Sequence, residues 1–268
     1  MKIIKSQNTS VLIGFENDLF KNCEYVGLNY SNKETNATII YKIFIPDYIE
    51  ILDALSHFLD SKETERAKRY HKEKDKSRFI ICRSLLKVVL SIHTQANISE
   101  INLDYHKNKK PYLSSHPSTY FNVSHSQDYG LIAISNSLVG IDIEFINPDY
   151  DFMNGLEFIC NFEELTFIKN AHDKKHAFYS LWTRKESFVK AIGKGIDDDF
   201  YNISSLVGLH PLDTSILETN KNWNIQGFEI NRNYMGAIAY EENSTFSDNL
   251  KAYHLPNQLD ELMALLPN

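Results

Sequence analysis

The sequence has few of the residues that mark secreted, metal-stapled or membrane-bound proteins. Only three of its 268 residues are cysteine, and Cys23, Cys82 and Cys160 lie far apart along the chain. This odd number and these spacings give neither a disulfide framework nor a zinc-ligand pattern, so we expect a reducing, cytoplasmic compartment. No stretch approaches the roughly 18 consecutive apolar residues of a membrane-spanning helix. The apolar run at the amino terminus is also too short for a signal peptide, so we expect no contact with a membrane.

The chain also lacks an excess of positive charge. It carries 28 Lys and Arg against 35 Asp and Glu, a net charge of −7, so its bulk electrostatics favour neither nucleic acid nor an anionic membrane. Any site for a polyanion must therefore come from a local cluster of basic side chains. What the chain does have is an ordinary globular composition, with 43% hydrophobic residues, 16 Phe and 15 Tyr. This composition argues against disorder, and the length suits one large domain or two small ones.

Hydrophobic periodicity predicts a similar order of elements twice along the chain. The first half gives a strand over 37–45, helices over 49–59, 62–71 and 76–91, and strands over 120–126 and 131–135. The second half gives a strand over 139–145, helices over 162–171 and 177–192, and strands over 223–230 and 235–240. In each half, helices are followed by a closing hairpin. This repetition predicts an internal duplication, and hence two α+β halves with a ligand groove between them. A short link over 136–139 joins the halves, and residues 1–37 carry no chemistry that we can assign.

Two carboxylates near the start of the second half are spaced for one face of a strand. Because successive strand side chains point to opposite faces, Ile141 and Ile143 are predicted to enter the core. Asp142 and Glu144 then share the other face, roughly 6 to 7 Å apart at about 3.3 Å per residue. Like charges so placed repel unless a cation lies between them, and oxygen ligands without His or Cys suit Mg²⁺ or Mn²⁺ better than zinc. A solvated polar face is the alternative, and it explains most such pairs.

The helix predicted over 177–192 offers a third carboxylate. Trp182, Glu186 and Lys190 lie at i, i+4 and i+8, along one ridge of this helix. A helix salt bridge beside a core tryptophan explains this pattern equally well when the segment is taken alone. Together with Asp142 and Glu144, however, Glu186 could close one metal site, with Lys190 a turn further on to contact a phosphate oxygen.

A histidine in the first half could also contact a phosphate. His125 ends a predicted strand at the mouth of a hairpin, with Ser124 and Ser126 on either side. A neutral histidine bonded to the backbone is the usual fate of such a residue. Beside a phosphate, it would instead donate a hydrogen bond.

The basic residues of the chain cluster between residues 61 and 87, where ten Lys or Arg stand against four acids. A solvated helical face accounts for most of them. Arg66 and Arg78 differ because they flank the join between two predicted helices, where a guanidinium can hold a terminal phosphate through two parallel hydrogen bonds. The segment 108–111, NKKP, adds a tight basic turn before a strand.

Taken together, these segments resemble the 4′-phosphopantetheinyl transferase superfamily, and specifically the monomeric two-half type that activates non-ribosomal peptide synthetases such as the surfactin enzyme. The matching pieces, in the family's order and spacing, are NKKP, FNVSHS, GIDIE and LWTRKESFVKAIGKG. Upstream, ERAKRYH and RFIICRSLLK resemble the family's helix pair, so the resemblance runs over 51–240. It implies an α+β fold of two similar halves related by a pseudo-twofold axis, with the active site and coenzyme A in the groove between them. The halves would be 1–136, with the phosphate-binding helices, the turn and the His125 hairpin, and 139–268, with the metal carboxylates.

The resemblance also implies roles for individual residues. The Mg²⁺ ligands, with Mn²⁺ as the other metal that the site could take, would be Asp142, Glu144 and Glu186. The coenzyme A contacts would be Arg66, Arg78, Lys110, Pro111, Ser124, His125 and Lys190. Glu186, Lys190 and His125 would be the catalytic residues, and either Glu186 or a water held by the metal would accept a proton. One departure is that Lys109 stands where the family's G-K-P turn has glycine.

The implied reaction is that of a holo-[acyl-carrier-protein] synthase, which moves the phosphopantetheine arm of coenzyme A onto a serine of a transiently bound carrier protein. The carrier could belong to fatty-acid, polyketide or peptide synthesis. Because the nucleophile lies on the partner, this chemistry needs no Ser-His-Asp or Cys-His arrangement, and the sequence shows none. Two alternatives remain: another Mg²⁺-dependent phosphodiesterase using the same carboxylates, and a non-catalytic module whose 61–87 helices bind an acidic partner or nucleic acid.

Overall fold

The computed structural model describes residues 9–16, 18–21, 23–26, 37–195, 200–212, 220–242 and 250–267. Within these ranges the chain has the predicted mixed α+β fold. The helices are α1 (Leu52–Ser56), α2 (Ser61–Lys68), α3 (Glu73–Thr94), α4 (Leu156–Ile159), α5 (Phe162–Asn170), α6 (Lys174–Ile192) and α7 (Leu259–Ala264). The strands are β1 (Ser10–Phe15), β2 (Glu24–Tyr25), β3 (Thr38–Phe44), β4 (Asp104–Tyr105), β5 (Pro111–Tyr112), β6 (Tyr120–Ser126), β7 (Tyr129–Ser135), β8 (Val139–Phe145), β9 (Gly208–Pro211), β10 (Trp223–Asn231), β11 (Tyr234–Glu241) and β12 (Leu250–His254). No helix in the described ranges combines the length and the apolar character that crossing a bilayer requires.

The chain divides into two compact units. The first unit comprises Leu19–Asn136 with Ser247–Asn268, and the second comprises Met1–Asp18 with Ser137–Phe246. The sheet of the first unit has the order β2-β12-β3-β7-β6, and that of the second has the order β8-β11-β10-β1-β9. The long helices α3 and α6 each bury more than half of their residues, so each helix contributes a large part of the core of its unit.

The predicted repetition of elements is confirmed. The first unit runs through β3, α3, β6 and β7, and the second runs through β8, α6, β10 and β11. In both sheets the last of these strands pairs antiparallel with the other two, which gives the orders β3-β7-β6 and β8-β11-β10. The pseudo-twofold axis and the groove stay predictions.

The ends of the chain depart from the predicted spans 1–136 and 139–268. Strand β1 pairs in parallel with β10, and strand β12 pairs in parallel with β3. Each terminal strand therefore belongs to the sheet of the opposite half, because its backbone groups form their ladder there. The division after residue 136 lies at the predicted link. The amino-terminal segment, however, belongs to the second unit, and the carboxy-terminal segment belongs to the first.

Most predicted elements are present within a few residues of their expected bounds. The helix predicted over 49–59 is shortened to α1, and a 3₁₀ turn over Ile45–Tyr48, with Pro46 in its first turn, precedes it. Residues 1–37, to which we assigned no chemistry, contain β1, in which Val11 and Ile13 are buried while Leu12 is half-exposed. This alternation covers only three residues and is too short to predict a strand.

Candidate functional site

A glycine lets α6 lie directly against β8. A Cβ atom added to Gly140 would lie 2.1 Å from the carbonyl oxygen of Ser187 and 2.3 Å from the amide nitrogen of Ala191. Both atoms belong to the backbone of α6, so only a residue without a side chain permits this approach. Since side chains two residues apart share one strand face, the face of β8 that meets α6 also carries Asp142 and Glu144.

Asp142 is buried on the face of β8 that meets α6. Its exposed fraction is 1%, so a solvated polar face is wrong for this residue. Its Oδ1 atom lies 2.5 Å from Nζ of Lys190, and its Oδ2 atom is buried and accepts no hydrogen bond from the described residues. Lys190 lies in the last turn of α6, and Gly193, in a left-handed conformation, follows the helix. A cation is favourable at this end of a helix.

All three predicted carboxylates act on Lys190. Burial by itself lowers the pKa of Lys190, but the attraction and hydrogen bond of Asp142, with the charges of Glu186 and Glu144, raise that pKa overall. Glu186 is 9% exposed. Its pKa is raised mainly by burial and further by Asp142, against the opposing effect of Lys190. The structure thus brings Asp142, Glu186 and Lys190 into one electrostatic cluster, with Glu144 close enough to act on the lysine.

The donor chemistry of this cluster fits the predicted metal. Carboxylate oxygens are the ligands that Mg²⁺ and Mn²⁺ prefer. Across the described part of the chain, however, no three His, Cys, Asp or Glu side chains are placed to ligate one ion, and the positive charge beside Asp142 is the ammonium of Lys190. The ligand set of Asp142, Glu144 and Glu186 therefore stays a prediction.

A buried ion pair at Lys185, the residue before Glu186, fixes the position of α6. Nζ of Lys185, a wholly buried residue, lies 2.9 Å from Oε2 of Glu164 and donates to the carbonyl of Ile203 at 2.7 Å. Glu164 also completes the capping box of α5 with Asn161 and accepts hydrogen bonds from Ser205. This pair ties α6 to α5 and to the segment that follows α6, and removing one partner of a buried pair costs about 3–5 kcal/mol. The sequence alone gave no role to Lys185 or Glu164.

Trp182 has a packing role. Its ring stacks on Phe178 at 6.1 Å and meets Phe200 at 5.5 Å between centroids. The ridge predicted from Trp182 to Lys190 therefore begins in the core and ends in the acidic cluster.

The first unit contains a cavity of about 210 Å³. Its basic and polar lining comes from Arg66, Arg83, Lys109, Asn122 and His125, and its apolar lining includes Phe79, Tyr105 and Pro111. The guanidinium groups of Arg66 and Arg83 lie 4.9 Å and 5.8 Å from the centroid of the Phe79 ring. Two guanidinium groups held at one ring give the cavity a positive wall, which suits an anionic group.

Arg83 is a candidate that sequence reasoning missed. Its side chain is 11% exposed, its Nη1 atom is buried, and this atom donates no hydrogen bond to the described residues. Its Nε atom lies 3.6 Å from Oε1 of Glu63. The available signal was its spacing: Arg83 follows Phe79 by one helical turn and so falls on the buried stripe of α3, apart from the exposed basic face.

The position of Arg66 depends on a second buried network. Asp60 and Glu63 form a capping box at the start of α2. Oε2 of Glu63 also lies 2.8 Å from Nζ of Lys87 on α3, and both side chains are less than a tenth exposed. This pair fastens α2 to α3, which holds Arg66 at the cavity.

Three of the predicted coenzyme A contacts in the first unit do not line this cavity. Arg78 pairs with Asp75 and donates to the carbonyl of Gln127. Ser124 is buried within β6. Lys110 is half-buried, and burial lowers its pKa to about 8, while its neighbours Lys109 and Pro111 do reach the cavity. The roles of Arg78, Ser124 and Lys110 stay predictions.

The basic turn keeps a geometry that glycine favours. Lys109 has a φ of 63°, and its amide donates to the carbonyl of His106 at 2.8 Å. A left-handed conformation costs about 1–2 kcal/mol in a residue with a Cβ. Lysine is therefore accommodated in this turn at an energetic cost, and the predicted turn between β4 and β5 is formed.

Comparisons with known proteins identify the family of this chain. A Synechocystis protein (slr0495) assigned to the 4′-phosphopantetheinyl transferases is 30% identical to this chain over 224 residues, which cover 76% of this chain and 90% of the relative. This chain belongs to the 4′-phosphopantetheinyl transferase superfamily. Two family models match in tandem: the amino-terminal 4′-phosphopantetheinyl transferase model over residues 45–137 and the superfamily model over residues 138–239. Their junction falls within the link predicted over 136–139.

Other members of the superfamily are similar over shorter parts of the chain. The 4′-phosphopantetheinyl transferase HetI of Nostoc sp. is 27% identical over 195 residues, covering 70% of this chain and 81% of its own length. Sfp of Bacillus subtilis is 30% identical over 144 residues, covering 52% of this chain and 62% of its own length. Membership of the superfamily implies coenzyme A as the donor substrate and carrier proteins as acceptors.

Proposed function

We propose that this chain transfers the 4′-phosphopantetheine arm of coenzyme A to a serine hydroxyl of an apo carrier protein, with release of 3′,5′-ADP. The observation that carries the proposal is the cluster of Asp142, Glu186 and Lys190 where β8 meets α6, inside the segment that matches the superfamily model. The serine oxygen forms a bond to the phosphorus that bears the pantetheine arm. The bond from that phosphorus to the bridging oxygen breaks, and 3′,5′-ADP leaves with the electron pair.

The chain's own residues would position the diphosphate and handle charge and protons, which is most of what phosphoryl transfer requires. Lys190 neutralises negative charge on the diphosphate as the bond breaks. Glu186 accepts the serine proton, directly or through a water. Mg²⁺ held by Asp142, Glu144 and Glu186 would supply further neutralisation of the diphosphate when bound.

The cavity of the first unit would hold the nucleotide end of coenzyme A. Arg66 and Arg83 offer guanidinium groups for the 3′-phosphate, while Tyr105 and Pro111 offer apolar surface for adenine. His125 would donate to a phosphate. A cavity of about 210 Å³ is smaller than the roughly 300–1,000 Å³ of sites that enclose a whole ligand, which suits one end of a long molecule.

The proposed acceptor is a carrier protein, as in the superfamily. We assign the reaction to the holo-[acyl-carrier-protein] synthase class, with fatty-acid, polyketide and peptide-synthetase carriers as alternative acceptors. That the enzyme is monomeric and cytoplasmic stays a prediction.

Mass spectrometry of apo carriers tests the proposal. A panel of the three carrier types is incubated with coenzyme A, Mg²⁺ and the full chain, with reactions lacking coenzyme A or the chain as controls. The expected result is a gain of one phosphopantetheine on the carrier serine and one equivalent of 3′,5′-ADP. Cleavage of coenzyme A without any carrier would favour the phosphodiesterase alternative. Salt-sensitive binding to an acidic partner without transfer would favour a binding module.

A further inference from the structure

The positive charge in the acidic cluster comes from α6 itself. Nζ of Lys190 lies 2.5 Å from Oδ1 of Asp142, so the two groups form a charge-assisted hydrogen bond. Glu186 and Glu144 also attract this ammonium. Lys190 is thus the ion-pair partner of Asp142, and the charges of the other two predicted metal ligands further favour its charged form.

A divalent cation at Asp142 would place a second positive charge next to this ammonium. Like charges within about 4 Å repel strongly where water is largely excluded, so the cation and Lys190 compete for Asp142. A buried charge that loses its partner is costly. Lys190 therefore leaves Asp142 readily only when another anion receives its ammonium.

The two partners of this ion pair differ in their access to solvent. The side chain of Asp142 is 2% exposed, whereas that of Lys190 is 31% exposed. The lysine has a long stem and several rotatable bonds, while the aspartate is fixed in a strand. Lys190 is therefore the partner that can turn towards an incoming phosphate.

We propose that Lys190 couples the binding of the divalent cation to the binding of the coenzyme A diphosphate by exchanging its partner from Asp142 to a phosphate oxygen. This inference rests on the proposed function. The exchange makes Asp142 available to the cation at the moment when the diphosphate arrives. The cation then binds weakly alone and more tightly with coenzyme A, and coenzyme A gains by the same factor because binding free energies are reciprocally linked.

Calorimetric titration of Mn²⁺ into the full chain, with and without coenzyme A and without carrier, measures this coupling. For Lys190→Met we expect Mn²⁺ alone to bind about tenfold more tightly than in the wild type, and the gain from coenzyme A to shrink by about the same factor. A residual gain remains because the diphosphate can itself ligate Mn²⁺. Lys190→Arg keeps the positive charge and should keep the weak binding of Mn²⁺ alone.

Two further variants guard the interpretation. Lys169→Met removes an exposed lysine of α5 in the same unit and should bind Mn²⁺ as the wild type does. Lys190→Gln retains a hydrogen-bond donor for Asp142 and replaces Lys190→Met if circular dichroism shows that the methionine variant does not fold.

The possible outcomes separate this inference from the proposed function. If the wild type binds both Mn²⁺ and coenzyme A, but removing the charge of Lys190 leaves the affinity for Mn²⁺ alone unchanged or weaker, the exchange is refuted while the proposed function stands. If the wild type binds neither Mn²⁺ nor coenzyme A, both are refuted.

Discussion

Replacing Gly140 by alanine tests whether the contact between β8 and α6 positions the acidic cluster. The new Cβ would lie 2.1 Å from the carbonyl oxygen of Ser187 and 2.3 Å from the amide nitrogen of Ala191. Because both are backbone atoms, no side chain can rotate away, and the helix must retreat by about 1 Å or more to restore ordinary contacts near 3.5 Å. Overpacking of this kind lowers the free energy of unfolding by about 1–3 kcal/mol.

The retreat of α6 should reduce activity as well as stability. Glu186 and Lys190 move with the helix, whereas Asp142 stays with the strand, so the 2.5 Å contact between Lys190 and Asp142 opens. A misplacement of about 1 Å can cost about 100-fold in rate. The assays are urea unfolding and the single-turnover rate of transfer to a carrier, measured on protein whose helix content matches the wild type.

Gly14→Ala is the matched control for this variant. The three atoms nearest to its new Cβ all belong to the side-chain amide of Gln226, the closest at 2.4 Å, and a flexible side chain can turn aside. We expect its stability to change by less than about 1 kcal/mol and its transfer rate to match the wild type. An unfolding free energy and a transfer rate for Gly140→Ala that equal those of Gly14→Ala would refute the positioning role of the contact.

Three further predictions concern the first unit. Arg83→Met should raise the KM for coenzyme A by about 10- to 100-fold, the range for a lost hydrogen bond to a charged group. Arg69→Met, at the exposed end of α2, should leave this KM unchanged. Equal KM values for the two variants would show that Arg83 does not contact coenzyme A. Lys109→Gly should raise the free energy of unfolding by about 1 kcal/mol in urea, because it relieves a left-handed conformation. Lys109→Ala should give no such gain, and equal gains would contradict the explanation. Burial lowers the pKa of His93 from 6.5 to about 4. As the pH falls, His93 is therefore protonated at a higher pH in the unfolded chain than in the folded chain. The free energy of unfolding should therefore fall by at most about 3 kcal/mol as the pH decreases from 6.5 towards 4. His93→Gln should flatten this part of the plot of unfolding free energy against pH. An unchanged slope would exclude His93 as its cause.

Residue patterns predicted the elements that carry the acidic cluster. The alternation around Asp142 and Glu144 fixed their shared strand face, and helical spacing placed Glu186 one turn before Lys190. The same patterns could not show that α6 contacts β8 at Gly140, because a glycine that permits close packing looks like any other glycine in a sequence. Nor could they show that Lys190 pairs with Asp142, since this pair joins residues 48 positions apart.

The remaining differences also arise from long-range packing. β1 and β12 pair with strands of the opposite half, and short segments carry no signal of their partners. Arg83 was grouped with exposed basic residues, because charge alone does not tell a buried guanidinium from a solvated one. Arg78, singled out for its place between two helices, pairs locally with Asp75.

The measurement that bears most directly on the account is the single-turnover rate of transfer by Glu186→Gln, with Glu163→Gln as its control. The control removes an exposed carboxylate from α5 in the same unit. We expect Glu186→Gln to lose at least about 100-fold in rate, the scale for removing one group that acts on the transition state. Its urea unfolding should remain cooperative, which shows that the variant is folded, and the control should keep full activity. Transfer by Glu186→Gln at the rate of the control would show that the cluster at β8 and α6 does not perform the reaction.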